Sequence, residues 1–96
     1  MRVGVSQITL RLPGCHSLKE KRQVLQSLMA RVRNQFQVAI AEVDEQDSWH
    51  TAILGISYVS NSSQHLDSVL AHVLRYIEET RPDVMVVDTQ NEIMNW

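Results

Sequence analysis

The sequence has few of the residues that mark metal-binding, secreted or membrane proteins. Cys15 is the only cysteine in 96 residues, which excludes an intrachain disulfide and a cysteine-rich zinc site and favours a reducing, cytoplasmic location. No apolar run approaches the roughly 18–20 residues that span a bilayer, so we expect no membrane segment. The chain begins directly with a strand pattern and lacks the features of a signal peptide. With 44% apolar and 21% charged residues, it is typical of a single domain over residues 1–96.

Proline and glycine are also scarce, and several of them mark the ends of regular elements. Pro13-Gly14 ends a first strand and Pro82 ends a second helix, because neither residue type continues such an element well. Apolar residues at 3.6-residue spacing predict helices, whereas alternation of apolar and polar residues predicts strands. Gly55 indicates a bulge or a close approach within the third strand. The predicted elements are strands over residues 2–12, 36–44, 49–60 and 84–93 and helices over residues 18–34 and 64–80.

The element order βαββαβ predicts an α+β fold of the ferredoxin-like type. In such a fold two helices pack on one face of a four-stranded antiparallel sheet, and the other face carries no helix. The second strand has apolar residues on both sides, with Val38 and Ile40 on one and Ala41 and Val43 on the other. Because large apolar surfaces are seldom left in water, we expect the open face to be covered, most simply by a second copy in a homodimer.

The SLKEKR segment that begins at Ser17 predicts the start of the first helix and contains a local conflict. Ser17 is expected to accept a hydrogen bond from the N–H of Glu20, and Glu20 to reach back to the N–H of Ser17, as in a capping box. Lys19, Lys21 and Arg22 lie in the same first turn, where the positive end of the helix dipole disfavours cations. A bound anion would remove the conflict.

Charge is distributed unevenly along the chain. Residues 1–33 carry seven cations against one carboxylate, whereas residues 34–96 carry two against ten. A basic helix flank can follow a phosphate backbone by releasing counterions, which predicts non-enzymatic binding of structured RNA or a ribosomal particle. One alternative is that the basic and acidic parts of the chain neutralise each other within the domain, and another is that the basic residues form an ordinary solvated helix face. The candidate contacts for an anion or RNA are His16, Lys19, Lys21, Arg22 and Arg33.

Lys21 differs from the other cations because its angle on the helix places it on the core side. We expect it either to extend outward to water or to pair with a carboxylate of the acidic hairpin between the second and third strands. The nearest carboxylates by topology belong to Glu42, Asp44 and Asp47. Such a pair would fix the first helix to the sheet, which is a structural role. Trp49, directly after this hairpin, could cap the core or stack on a base, and we expect the first.

The sequence shows no catalytic or metal-binding constellation. Cys15 and His16 are adjacent, but no orienting group or oxyanion hole accompanies them. His65 and His72 are seven residues apart, too far for joint zinc ligation on a helix. The first strand lacks the aromatic residues of an RNA-recognition motif. We therefore predict no cofactor and no catalytic residue. Two alternatives to RNA binding stay open: a homodimeric protein-interaction module, and a small-anion binder or enzyme at the N-terminus of the first helix.

The chain resembles the YlxP-like family, a bacterial family of unknown function. The resemblance covers nearly the whole chain and implies a ferredoxin-like fold and a gene position near translation-initiation and ribosome-maturation genes. It implies no established activity, so no catalytic residue is transferred from it. It rests on Pro13, the SLKEKR segment from Ser17 to Arg22, Asn34, Phe36, the AEVD segment from Ala41 to Asp44, Asp47, Trp49, Gly55 and Val59-Ser60-Asn61.

Overall fold

The computed structural model describes all residues, 1–96, and contains four strands and two helices. Neither helix combines the length and the apolar composition that crossing a bilayer requires. The elements in chain order are β1 (Arg2–Arg11), α1 (Leu18–Gln35), β2 (Ala39–Asp44), β3 (Thr51–Ser60), α2 (Ser63–Thr80) and β4 (Met85–Asn95).

The four strands form one antiparallel sheet in the order β2-β3-β1-β4. β1 lies in the middle and pairs along its length with both neighbours, so that Leu10 is opposite Ala52 on β3 and Val86 on β4. Each edge ladder shifts its register once, by one extra residue, at Val43 in β2 and at Val87 in β4. Bulges of this kind increase the local twist of an edge strand.

Both helices pack on one face of the sheet, which confirms the ferredoxin-like fold predicted from the element order. Their apolar stripes meet the alternate, inward-facing residues of the strands. Gly4 allows β1 to pass beneath Tyr58, since a Cβ at that position would lie 2.9 Å from the ring. The buried residues include Leu25, Leu28 and Val32 of α1, Leu66, Leu70, Val73 and Ile77 of α2, and Ile8, Leu10, Ile40, Ala52, Leu54, Ile56 and Tyr58 of the sheet.

The connection between α1 and β2 differs from the sequence prediction. α1 continues to Gln35, and the N–H of Phe36 donates to the carbonyl of Val32 at 2.8 Å to close the last turn. β2 then begins at Ala39, three residues later than predicted. The apolar residue at position 36 that suggested a strand packs between helices instead, because the ring of Phe36 lies edge-on to that of Tyr76 with centroids 5.7 Å apart.

The hairpin between β2 and β3 is longer than predicted. β3 begins at Thr51, after a turn that contains Trp49 and His50. The Trp49 side chain is 49% exposed, so the prediction that it caps the core is wrong. The one aromatic ring it pairs with is that of the neighbouring His50, which lies edge-on with centroids 6.4 Å apart. The reason is the turn itself, whose backbone faces inward and leaves this side chain outside.

The face of the sheet opposite the helices, called the open face below, is formed by the residues that alternate with the core positions. Its centre contains small and polar side chains. One end carries Val3, Val59 and Met94, and the other end carries Met85 and Ile53 together with the charged Arg11 and Asp88. The residues that line it are Val3, Val5, Gln7, Thr9 and Arg11 of β1, Ala39, Ala41 and Val43 of β2, Ile53, Gly55, Ser57 and Val59 of β3, and Met85, Asp88, Gln90, Glu92 and Met94 of β4.

Candidate functional site

A buried lysine binds the turn between β2 and β3 at the start of α1. Lys21 is 1% exposed, and its ammonium Nζ donates to the carbonyl oxygens of Glu45 and Ser48, each at 2.6 Å. A third hydrogen bond reaches the carbonyl of Thr51 at 2.8 Å. Oε2 of Glu42 lies 2.9 Å from the same nitrogen. Since an ammonium has three N–H donors, the carbonyls use them all and Glu42 balances the charge.

The turn that Lys21 binds is also stabilised from within. Glu45 has φ 61°, in the left-handed region that non-glycine residues seldom adopt. Asp44 Oδ1 accepts a hydrogen bond from the Glu45 N–H at 2.8 Å, and Ser48 Oγ accepts one from the Thr51 N–H at 3.1 Å. These contacts hold the conformation in which the carbonyls of Glu45 and Ser48 meet the ammonium.

The two predictions made for Lys21 have different outcomes. It pairs with a carboxylate of the acidic hairpin, and that carboxylate is Glu42. Asp44 instead accepts a bond within the turn, and Asp47 is exposed. Lys21 is not available to an outside anion, which corrects its inclusion among the anion or RNA contacts. The reason is that its charged group is out of water and its three donors are occupied.

The N-terminus of α1 has the predicted cap with one changed partner. Ser17 Oγ accepts the N–H of Glu20 at 3.1 Å. The Glu20 carboxylate accepts the N–H of His16 at 2.8 Å, rather than that of Ser17 as predicted. A negative group of the chain itself therefore lies at the positive end of the helix dipole, where it offsets the neighbouring cations Lys19 and Arg22. This arrangement removes the main reason for expecting a small-anion site there.

Three of the predicted contacts form a basic flank on α1, namely Lys19, Arg22 and Arg33. All three residues are exposed, as is His16 just before the helix. A guanidinium nitrogen of Arg33 donates to the carbonyl of Ile40 at 2.6 Å, which holds this side chain beside β2. Because a guanidinium has five N–H donors, the others stay available to an outside group.

The ion pairs do little to neutralise the basic N-terminal third. Lys21–Glu42 at 2.9 Å is the one pair that joins residues 1–33 to the acidic remainder. The second pair, Arg81–Asp83 at 2.7 Å, lies within the loop after α2. A direct ion pair to the acidic part of the chain therefore forms at Lys21 and not at the basic flank.

The remaining candidates for chemistry have no reactive arrangement. Cys15 is buried, and burial together with the nearby carboxylates of Glu20 and Asp83 raises the pKa of its thiol. A thiol with a raised pKa is a poor nucleophile, because the thiolate is the reactive form. His65 and His72 are both exposed on α2. No group of three or more His, Cys, Asp or Glu side chains is placed to hold a metal ion.

Two helices on one face of a four-stranded antiparallel sheet define this protein as a ferredoxin-like α+β domain. A de novo designed protein with a ferredoxin fold, solved by NMR, matches with TM-score 0.56 and 14% identity, covering 100% of this chain and 87% of that one. The de novo designed protein Foldit4 matches with TM-score 0.55 and 9% identity, covering 100% of this chain and 99% of that one. SnoaB, a cofactor-independent oxygenase from Streptomyces nogalater, matches with TM-score 0.52 and 12% identity, covering 99% of this chain and 92% of that one. At such identities the likeness shows the fold alone.

Sequence similarity then gives the family. The family model described as "Protein of unknown function (DUF503)" matches residues 3–91. "Uncharacterized protein YlxP" of Bacillus subtilis (strain 168) is 34% identical over 90 residues, which cover 94% of this chain and 97% of that relative. The chain belongs to the DUF503 family, and the resemblance to YlxP-like proteins is confirmed.

Proposed function

We propose that this protein binds structured RNA, without enzymatic activity, through phosphate contacts made by the basic flank of α1. The observation that supports it most is the exposure of Lys19 and Arg22 one helical turn apart, with no carboxylate within ion-pair distance of either. Cations in this state gain affinity for a phosphate backbone by releasing its condensed counterions. The small ribosomal subunit is the RNA particle on which we would test it.

The shape of the flank favours backbone contacts over base reading. Arg33 lies roughly 21 Å along the helix axis from Lys19 at 1.5 Å per residue, a length that supports contact with more than one phosphate of an RNA strand. Double-stranded RNA is recognised mainly through its phosphates and 2′-hydroxyls. Base stacking needs exposed aromatic rings on a binding surface; the flank itself consists of cations, and the exposed ring of Trp49 lies in the β2–β3 turn and not on the flank.

The decisive experiment is cosedimentation of the purified protein with purified small ribosomal subunits at low salt. Wild type is expected to comigrate, and the double variant Lys19→Glu/Arg22→Glu to lose comigration. The matched control is Arg31→Glu/Arg75→Glu, which changes the net charge equally at two exposed positions off the flank. The control is expected to comigrate like wild type. A wild type that never comigrates, or a control that is lost equally, contradicts the proposal.

Salt dependence separates a phosphate contact from a general charge effect. Arg33→Gln removes one cation of the flank and should reduce the slope of log affinity against log salt by about one. Binding from a cell lysate should also disappear when the lysate is treated with ribonuclease. A lysate component that still binds after that treatment would indicate a protein partner and would count against RNA as the ligand.

A further inference from the structure

The open face carries an apolar cluster at one end. In the register of the sheet, Val3 on β1 is opposite Val59 on β3 and Met94 on β4. The side chain of Val59 is 62% exposed and that of Met94 is 42% exposed. Val5 continues the cluster along β1. Because the three strands are adjacent, these side chains form one contiguous patch and not scattered surface residues.

A hollow in the middle of the open face lies next to this cluster. Its volume is ≈ 640 Å³, and its lining is mixed, with Val5, Ala41 and Val43 on the apolar side and Gln7 and Glu92 among the polar residues. Gly55 lies at its floor, where a Cβ would be 2.7 Å from Cγ1 of Val43. The side chain of Val43 therefore leans over β3, and the space beside it is open to a side chain from outside.

We infer that a second copy of this chain covers the open face, in a homodimer whose sheets pack face to face. This goes beyond RNA binding and does not depend on it, because α1 lies on the other side of the sheet. Strands about 4.8 Å apart and about 3.3 Å per residue give the open face roughly 600 Å². Two copies would bury roughly 1,200 Å² in total, which reaches the lower end of stable protein interfaces.

The distribution of charge indicates the orientation of the second copy. Glu92 lies on the edge strand β4 opposite Val5, and Arg11 and Asp88 lie at the end of the open face far from the apolar cluster. Packing the apolar cluster on the charged end would desolvate those charges without partners. The two-fold axis therefore runs along the strands, so that the two apolar clusters meet and β1 of each copy lies over β3 of the other.

Sedimentation velocity between about 1 and 200 µM tests the dimer. Wild type is expected to be dimeric in the upper part of this range. Val59→Lys should raise the dissociation constant by about a hundredfold or more, because it places a charge in the interface. Ala71→Lys, an equal change at an exposed position on α2, should leave it unchanged. A wild type that is monomeric throughout, or a Val59→Lys variant that stays dimeric, overturns the inference. Circular dichroism checks that each variant is folded.

Cross-linking tests the orientation. With the axis along the strands, position 59 of one copy lies close to position 59 of the other, across sheets packed about 10 Å apart. In a Cys15→Ala background, Val59→Cys is therefore expected to give covalent dimers with a short bis-maleimide, whereas Ser27→Cys on the exposed side of α1 is not. Efficient dimers from position 27, or none from position 59 under conditions where the protein is dimeric, overturn this arrangement.

Discussion

Nζ of Lys21 in α1 and Oε2 of Glu42 in β2 are 2.9 Å apart, in a nearly dry site. This pair explains one of the three cations in the first turn of α1. The side chain of Lys21 leaves the helix toward the β2–β3 turn, where three carbonyl oxygens and a carboxylate surround its charge. The charge of Lys21 is therefore stabilised by oxygens of the sheet and its turn, which offset the unfavourable helix dipole.

Replacement of Lys21 should destabilise the fold strongly. Lys21→Met leaves the Glu42 carboxylate without a counter-charge and the turn carbonyls without donors, so we expect a loss of about 3–5 kcal/mol in the free energy of unfolding. Urea unfolding followed by circular dichroism measures it. Lys19→Met makes the same change at an exposed neighbour and should stay within about 0.5 kcal/mol of wild type. Similar losses in the two variants would contradict a structural role specific to Lys21.

The carboxylate contributes separately from the carbonyls. Glu42→Gln keeps the shape of the side chain and leaves the three hydrogen bonds of Lys21 in place, so we expect a smaller loss of about 1–3 kcal/mol. The double variant Lys21→Met/Glu42→Gln leaves no uncompensated charge. Its loss in the free energy of unfolding should be smaller than the sum of the two single-variant losses, by about 0.5–3 kcal/mol in a double-mutant cycle. Simple additivity would show that the two charges do not interact.

The cap of α1 should contribute to stability whatever the protein binds. Ser17→Ala removes the acceptor of the Glu20 N–H, and we expect a loss of about 0.5–2 kcal/mol. Ser27→Ala is the matched control in the middle of the same helix, where it is exposed and alanine is the better helix former. The urea midpoint of Ser17→Ala should therefore fall below that of wild type, whereas the midpoint of Ser27→Ala should stay the same or rise. No difference between them would argue against the cap.

The buried cysteine should react slowly. Burial and the neighbouring carboxylates of Glu20 and Asp83 raise the pKa of the Cys15 thiol, and the side chain is 5% exposed. A disulfide reagent at about pH 8 is expected to modify it at least about tenfold more slowly than an exposed thiol in Cys15→Ala/Ser27→Cys. In denaturant the two rates should converge. A fast reaction in the native protein would show that this thiol is accessible.

The loop after α2 should show a small acid-dependent contribution to stability. Arg81 hydrogen-bonds the Asp83 carboxylate at 2.7 and 3.0 Å, and this lowers the carboxyl pKa below its ordinary value of 3.8. A lowered folded-state pKa means stabilisation that is complete above the ordinary value and lost as the pH falls through the folded value. Because the pair is exposed and screened, Arg81→Gln should cost only about 0.2–0.5 kcal/mol at pH 7. That difference from wild type should shrink as the pH falls below 3.8, and a difference that stays constant over the acid range would contradict this assignment.

Local patterns in the sequence predicted most of the fold. The start of α1 followed from its cap residue, Ser17, which is the observed N-cap. The start of α2 followed from 3.6-residue periodicity to within one residue, and its observed N-cap is Ser62. The errors fell where a local pattern competes with a distant contact. Phe36 looked like the first residue of a strand, but its ring is held against Tyr76 from a helix 40 positions further along the chain. Trp49 looked like a core residue, but the turn around it faces Lys21 with its backbone.

The candidate site could be predicted only in part for the same reason. The basic flank is a property of one helix, so spacing alone brought Lys19, Arg22 and Arg33 to one side. The carbonyl oxygens that bind Lys21 could not be predicted from the sequence, because every residue has a carbonyl and only the conformation of the turn points these three toward the ammonium. The apolar cluster on the open face was equally hidden, since Val3, Val59 and Met94 meet through strand register.

The sequence by itself determined the order of the elements, the caps and the basic flank, because each depends on residues within a few positions of one another. The helical angle of Lys21 also set it apart from Lys19 and Arg22, but it left open whether Lys21 extends to water or pairs with the acidic hairpin. The tertiary structure alone decided between these two outcomes. It places the oxygens of Glu42, Glu45, Ser48 and Thr51, which lie 21 or more residues further along the chain, around the ammonium of Lys21.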